Sequence, residues 1–327
     1  MKLSVGIITY NQQETIAQTL DSILCQQGDF ELEVVIGEDC STDNTWAICK
    51  EYVGRYPEQV VLLENTSNLG IMANFARVMK ACTGEYVGIC AGDDYWCDEH
   101  KLQKQKAFLD AHPEYGVCTT NGYRYLVRRG EMLEGVAPWQ PVEDGDVRKF
   151  YFSPNYKGGV YAMPLTMLFR RELLQYVDFD AFIERGFSVE DYPMQAIMAQ
   201  RTLWGHIADK TVVYRVYSES ATFISYDHPK YMQYHKGLVA IRLYLEELYP
   251  EQTGYTKEWA DEYVFYREYL LYLYTGDFRK AKQLVDTCQL HTPKVNKVRK
   301  MTTNRWVFML FRLYKMRMLK NDLNQRT

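Results

Sequence analysis

Residues 89–98 read ICAGDDYWCD. The apolar run from Tyr86 to Cys90 has the composition of a buried strand. It breaks at Gly92, and two adjacent carboxylates follow, Asp93 and Asp94. Two like charges side by side are tolerable in water and costly where partly buried, and a bound cation removes that cost. Alone, the pair reads equally as a solvated turn with a helix cap. A second acidic pair, Glu38 and Asp39, closes the run EVVIG. A carboxylate there can accept a hydrogen bond from the ring N–H of a uracil or guanine, or from a ribose hydroxyl; the plainer alternative is a turn that only starts the next helix. The stretch NLGIMANFA supplies Asn68, Gly70 and Asn74. Gly70 permits a positive φ or a close backbone approach, and the helix after it presents amides to a pocket, unless this is simply a strand-to-helix turn. Glu190 and Asp191 open a helix after GFS, where the helix dipole alone favours acids. Arg215, in VVYRVYSESAT, carries a guanidinium that matches phosphate oxygens.

These residues need a frame. LSVGII (3–8), LEVVIG (32–37), VVLLE (60–64) and EYVGICA (85–91) read as strands. Between and after them, QETIAQTLDSILCQ (13–26), TDNTWAICKEYVGRY (42–56), IMANFARVMKAC (71–82) and EHKLQKQKAFLDAH (99–112) read as helices. Ser41 or Thr42 is the expected N-cap of the second helix, with Asp43 near its positive end, and Asp98 is placed to cap the fourth. Such alternation implies a parallel sheet covered on both faces, with ligands beyond the carboxyl ends of the strands. Thr9–Asn11, Glu38–Asp39 and Asp93–Asp94 all fall at that edge. Further on, GVCTTNGYRYLV and VYAMPLTMLFRREL are expected as strands, the latter running into a helix. VEDYPMQAIMAQR (189–201) reads as a helix and KTVVYRVY (210–217) as a strand, and from about residue 228 the pattern is helical. YLLYLYTGDFRKAKQLVD (269–286) has the Gly-Asp turn and Ala spacing of a helical hairpin, a little like one tetratricopeptide unit.

The 327 residues suffice for one large or two modest domains, and 47% hydrophobic with 24% charged residues describes an ordinary globular chain. A net charge of -4 carries no overall nucleic-acid signature. The eight cysteines form no CxxC pair and no His/Cys metal spacing, so reduced thiols and a cytoplasmic location are expected. Met1-Lys2 leads directly into LSVGIITYN, so no secretory leader is expected, and no run reaches the roughly 20 apolar residues of a spanning helix.

The chain resembles glycosyltransferase family 2 over roughly residues 1 to 225. SVGIITYNQQETIAQTLDSILCQ is similar to that family's first strand and helix. EVVIGEDCSTDNT resembles its nucleotide-binding DDGSTD segment, with Glu38, a longer reach, for the first Asp. NLGIMANFA resembles its N-x-G-x-x-x-N/R turn, AGDDYWCDEHKLQKQ its metal motif, and FSVEDYPM its acidic catalytic motif. The resemblance implies a GT-A fold: an α/β, Rossmann-like, mostly parallel sheet flanked by helices. The implied layout is a transferase domain over 1–225 (nucleotide-binding half about 1–120, acceptor half about 121–225) and a helical extension over 226–327. It implies an inverting, non-processive transfer from a nucleotide-sugar donor to a saccharide or lipid-linked saccharide acceptor, with Mn²⁺ or Mg²⁺. Asp94 is then the metal ligand, with Asp93 supporting it or touching the ribose. Asp39 sits at the base, over a floor of Thr9, Tyr10 and Asn11. Asn68, Gly70 and Asn74 shape the nucleotide pocket, and Arg215 meets the diphosphate. Asp191 is the base that takes the acceptor's proton, and Glu190 orients it. Tyr217 stands where relatives carry His, which leaves a second metal ligand unassigned. The Q-x-x-R-W motif of processive members is absent.

Two other classes stay open. A nucleotidyltransferase would carry a Gly-rich, basic phosphate loop after its first strand, which TYNQQE lacks. A non-catalytic sugar- or membrane-binding adaptor would keep the fold without turnover. From Lys294 to Thr327 ten Lys/Arg face one acid, Asp322. This tail is expected either to lie on an anionic membrane surface, at the inner face of the cytoplasmic membrane, or to dock as a core helix on the first domain. Nucleic acid is not expected as a partner.

Overall fold

The computed structural model describes residues 1–135, 145–152, 162–217, 229–250 and 252–326, with side chains as far as Met318 in the last helix. The chain divides into two compact units, one of residues 1–184 with 189–216, the other of 185–188 with 217–327.

In the first unit the strands are β1 (Lys2–Thr9), β2 (Glu31–Glu38), β3 (Val60–Leu63), β4 (Tyr86–Ala91), β5 (Tyr95–Trp96), β6 (Tyr115–Leu126), β7 (Glu131–Glu134), β8 (Leu168–Arg170) and β9 (Leu203–Val216). They form one sheet among the described residues, in the order β3-β2-β1-β4-β8-β6-β9-β5, with β7 on β6. The run β3-β2-β1-β4 is parallel throughout, as the alternating pattern requires. Beyond β4 the sheet is mixed: β8 is antiparallel to both β4 and β6, β6 and β9 run parallel, and β5 returns antiparallel on β9. The register sets Thr9 opposite Glu38 and Ile8 opposite Ala91, so the residues after β2 and β4 flank the end of β1.

Alternate residues of each strand face opposite layers. Leu3, Val5 and Ile7 of β1 pack in a core with Ile16, Leu20 and Ile23 of α1 (Ile16–Leu24), Cys49 and Tyr52 of α2 (Thr45–Arg55), and Leu102 and Leu109 of α4 (Lys101–Ala111). Toward the other face lies α3 (Ile71–Ala81). A Cβ on Gly6 would lie 2.5 Å from Met79 Cε, and one on Gly37 2.5 Å from Asn74 Oδ1, so these two glycines admit α3 to the sheet. The short α5 (Arg148–Phe152), α6 (Phe179–Glu184) and α7 (Asp191–Ala199) complete this unit. Lys101 is fully buried, with its ammonium 4.2 Å from the Trp96 ring and donating to Gln105 Oε1 at 2.7 Å. Burial pulls its pKa down to about 7.

Three local expectations are corrected. Neither Ser41 nor Thr42 caps α2. Asp43 accepts from the Thr45 amide at 2.9 Å, and the Ser41 hydroxyl instead accepts from the Asn11 amide at 2.8 Å. Asp98 does not cap α4 either: His100 takes the N-cap position without a side-chain bond, and Asp98 accepts from the His100 amide at 2.9 Å in the turn before the helix. The stretch read as a strand running into a helix is a 3-10 turn at Pro164–Thr166, the three-residue β8, and a second 3-10 turn at Arg171–Tyr176. Residues 160 and 161 lie outside the described residues. Pro164, without an amide proton and with fixed φ, favours the turn over a ladder.

The second unit holds α8 (Tyr231–Leu248), α9 (Lys257–Thr275), α10 (Phe278–Thr287), α11 (Pro293–Met301) and α12 (Arg305–Arg326). The expected Gly-Asp turn joins α9 to α10: Gly276 ends α9 at φ +79°, and Asp277 caps α10 by accepting from the Lys280 amide at 3.0 Å. Part of the basic tail packs within this unit. Phe308 of α12 is fully buried, with ring centroids 5.4 Å from Phe278 and 6.4 Å from Tyr269.

Candidate active site

Two acidic pairs stand on either side of the end of β1. On the β2 side, Glu38 is buried and curls back on its own turn, accepting from the Ser41 amide at 2.7 Å and the Cys40 amide at 3.2 Å. The methylene that lengthens it relative to Asp supplies that reach. Asp39 is buried too, and its amide is tied to the Thr9 carbonyl at 3.0 Å. Its Oδ1 accepts from the Leu69 amide at 2.7 Å and Asn65 Nδ2 at 3.1 Å, and its Oδ2 from the Gly70 amide at 2.9 Å. Asn68 Nδ2 donates to the Asp39 carbonyl at 2.9 Å, and Gly70 leads into α3 at φ +81°, a conformation open to glycine. The 65–70 loop is thus folded around Asp39. A carboxylate offers about four acceptor positions, and three are in use. Asn74, buried on α3, donates to the Gly37 carbonyl at 2.7 Å. Its described role is to fasten α3 to β2.

On the β4 side the environment is poorer in donors. Gly92 is held to the Ile8 carbonyl at 3.0 Å, and a Cβ there would meet Gln12 Oε1 at 2.4 Å and Thr9 Oγ1 at 2.6 Å. Asp94 is buried, and its Oδ1 accepts from the Arg215 amide at 2.8 Å. Its other carboxylate oxygen has no hydrogen-bond partner among the described residues. Withdrawal from water, then the adjacent Asp93 charge, pushes the Asp94 carboxyl well above the usual carboxylate range. Asp93 is partly exposed and also raised, chiefly by desolvation, against a hydrogen bond from Gln12. The Arg215 guanidinium donates to the Asp93 carbonyl and to Gln18 Oε1, and lies 4.7 Å from the centre of the Tyr95 ring. Its buried position therefore serves the turn that carries both aspartates.

The floor between the pairs is Thr9, buried and donating to Gln12 Oε1 at 2.8 Å, with Asn11 at φ +53° accepting from the Thr42 amide at 2.8 Å. Tyr10 stands exposed at the same edge. Hydrogen bonds thus join Thr9, Asn11, Glu38, Asp39, Asn68 and Gly70 on one side and Asp93, Asp94 and Arg215 on the other, with Gln12 between them. The third acidic pair stands apart, at the start of α7. Asp191 Oδ1 accepts from the Tyr192 amide at 2.7 Å. Although neither acid is fully buried, both carboxyls are raised, first by desolvation; the neighbouring Asp191 charge raises Glu190 further. The two titrate as a coupled pair, both above the usual carboxylate range.

Sequence reasoning missed Gln12, Gln18, Tyr95 and Asn65. The first three lie in or beside stretches already singled out. Their amides and ring earn their places only through partners far along the chain, which no local spacing displays.

The profile described as "Glycosyl transferase family 2" matches residues 4–177. The chain belongs to that family. Its relatives include an uncharacterized protein of Mycobacterium tuberculosis, 46% identical over 116 residues, which are 36% of this chain and 34% of that one. They also include the poly(ribitol-phosphate) beta-N-acetylglucosaminyltransferase TarS of Staphylococcus aureus, 38% identical over 116 residues, 34% of this chain and 19% of TarS. The matched stretches thus span only about a third or less of those relatives' lengths. Among solved structures, that of S. aureus TarS 1-349 with UDP-GlcNAc superposes with TM-score 0.58 at 17% identity, over 100% of this chain and 93% of that one. The mannosyltransferase PcManGT of Pyrobaculum calidifontis, solved with GDP-Man and Mn²⁺, gives 0.52 at 18% identity, over 94% of this chain and 84% of that one. At such identities the likeness carries the fold, and it is the GT-A fold.

The donor set of this family 2 chain fits a hard divalent cation. Asp94 offers a desolvated carboxylate with a spare oxygen beside a second raised carboxyl. Among the described residues no group of three His, Cys, Asp or Glu could hold a metal ion by itself. Such a site suits Mg²⁺ or Mn²⁺, which take oxygen ligands and keep waters and substrate phosphates in their shell.

Proposed function

We propose that this chain transfers a sugar from a nucleotide-sugar donor to a saccharide or lipid-linked saccharide acceptor, inverting the anomeric centre, in the assembly of a cell-surface polysaccharide such as capsule, O-antigen or exopolysaccharide. The transferase domain spans about 1–225, with the donor half to about residue 120, and the work belongs to the cytoplasm. The observation that carries the reading is the contrast at the sheet edge: Asp39, with three donors on its carboxylate, and Asp94, with one, lie on either side of Thr9. The complexes of TarS with UDP-GlcNAc and of PcManGT with GDP-Man support a nucleotide-sugar donor.

The 65–70 loop and Asp39 hold the nucleoside. Asp39 has one acceptor position to spare, which suits the single ring N–H of uracil better than the paired donors of guanine, so UDP is the favoured carrier. Asn68, Gly70 and Asn74 hold the loop and α3 in place around it. Asp94, supported by Asp93, would hold Mn²⁺ or Mg²⁺, which supplies neutralisation of the charge that develops on the departing diphosphate. Arg215 fixes the turn that presents both carboxylates and brings a positive charge to the same edge. Asp191 takes the proton of the acceptor hydroxyl as its oxygen bonds to the anomeric carbon. The carbon–phosphate-oxygen bond breaks on the opposite side, and its electron pair leaves with the diphosphate. A base raised toward neutrality accepts that proton better than an ordinary carboxylate. Glu190, raised by burial and by the Asp191 charge, orients the base.

Titration calorimetry with UDP, GDP and dTDP, each with and without Mn²⁺, tests the reading on the natural chain and on Asp94→Ala. Metal-dependent binding of one nucleotide, lost in the variant, is the expected result. Binding of none of them overturns it and favours the adaptor. Turnover lost in Asp191→Asn with nucleotide binding intact separates the base from the donor site.

A further inference from the structure

Helix α12 has two apolar faces, and among the described residues of the second unit only one of them is packed. Phe308 is fully buried, Met309 and Phe311 pack on the same core of the second unit, and Arg312 donates to the Tyr274 carbonyl at 3.1 and 3.3 Å. That anchoring fixes the rotation of the helix and turns other large side chains outward. Trp306 is 81% exposed, Leu310 68%, Leu313 59% and Tyr314 58%. At 100° per residue, Trp306, Leu310, Leu313 and Arg317 fall within about 60° of one another, with Tyr314 beside them. Trp306, Leu310, Leu313 and Tyr314 form an exposed apolar stripe that Arg317 ends one turn on, and contiguous exposed apolar patches of this kind mark interaction sites. Apolar residues on both faces hide the division when charges alone are plotted.

The surroundings of the stripe select its occupant. From Lys294 to Thr327 there are ten Lys/Arg against one acid, and Lys297, Lys300, Arg305 and Arg317 are exposed. Among the described residues no helix is long and apolar enough to cross a membrane. A tryptophan, two leucines and a tyrosine amid basic residues match the boundary between lipid headgroups and acyl chains, where aromatics seat and cationic side chains reach the phosphates. An acidic protein surface would satisfy the charge but leave the stripe wet. We infer that the outer face of α12 docks on an anionic lipid bilayer, with Trp306, Leu310 and Leu313 inserted and the flanking lysines and arginines on the headgroups. This binding stands independently of the sugar-transfer reading; it needs neither nucleotide nor metal.

Flotation of the full chain with vesicles tests the inference, using phosphatidylcholine alone and phosphatidylcholine with about a third phosphatidylglycerol. Binding is expected to the anionic vesicles and to weaken with salt. Lys300→Gln, Arg305→Gln and Arg317→Gln together lower the partition coefficient about a hundredfold, at roughly fivefold for each charge. Trp306→Ser, Leu310→Ser and Leu313→Ser together lower it at least about tenfold, and the unchanged circular dichroism spectrum of an exposed-face variant distinguishes this from unfolding. No binding to anionic vesicles, or binding untouched by the serine variant, overturns the inference. So does a chain that dimerises in solution through this face and becomes monomeric in the serine variant.

Discussion

Glu38–Asp39 and Asp93–Asp94 occupy equivalent places, each just past a parallel strand adjoining β1, and their surroundings are opposite. Four backbone amides and one side-chain amide converge on the first pair. The second pair has one backbone amide on Asp94 and the Gln12 side chain on Asp93, and both of its carboxyls are raised. Identical chemistry at one sheet edge thus serves two ends. Where donors surround it, a carboxylate organises backbone; where they are withheld, it stays free for a ligand, which the proposed function makes a cation. Counting donors separates the two roles without reference to any ligand.

The largest test of that contrast is Asp94→Ala, expected to lower turnover about a thousandfold, the scale of losing one transition-state charge partner, while the chain stays folded. Steady-state rates at saturating Mn²⁺ measure it, and a loss below tenfold breaks the contrast. Next, Asp39→Ala strands the Leu69 and Gly70 amides and is expected to cost about 3 kcal/mol of stability, read by urea unfolding. Smaller and of opposite sign, Asp94→Asn keeps an acceptor for the Arg215 amide and removes the repulsion. A carboxyl raised in the folded state favours folding at acid pH, and the protein loses stability relative to that as pH rises through the unfolded and then the folded pKa. Asp94→Asn is therefore expected to stabilise the metal-free protein by on the order of 1 kcal/mol at neutral pH, with the gain vanishing in acid. Equal stabilities at neutral pH would show the second pair as well satisfied as the first. Smallest, Cys40 lies between the Glu38 turn and the 65–70 loop at φ +57° with its thiol donating to the Asn65 carbonyl at 3.1 Å. Cys40→Gly relieves the backbone and loses that bond, for a net gain under about 1 kcal/mol in thermal melting.

Much of the parallel half was legible in the sequence, because local rules build it. β1 to β4 and α1 to α4 follow from periodicity, and the Gly276–Asp277 turn from its residue pair. The rest rests on long-range pairing. The amide of Arg215 answers Asp94 across 121 positions, and the guanidinium that invites a phosphate reading is already committed to Asp93 and Gln18. β8 is too short to show an alternation, and the Pro164 turn before it interrupts what composition presents as one strand. The positive φ of Cys40 was invisible since nothing in the residue type announces it.

The placement of β9 also bears on how this chain is made. β9 lies between β6 and β5 in the sheet, and its Val212 and Val213 pair with the two residues directly after the acidic turn. A nascent chain emerging from the ribosome can assemble β1 to β4 early, since each neighbour is local. Asp94 then lacks the Arg215 amide until residue 215 has been synthesised. Any fragment cut at residue 177, where the family profile stops, would lack the strand that pairs with Tyr95 and Trp96 and brings the Arg215 amide to Asp94. The acidic turn is encoded early and completed late: Tyr95 and Trp96 pair only once Val213 and Val212 exist, so the edge that carries both aspartates takes its final form with β9.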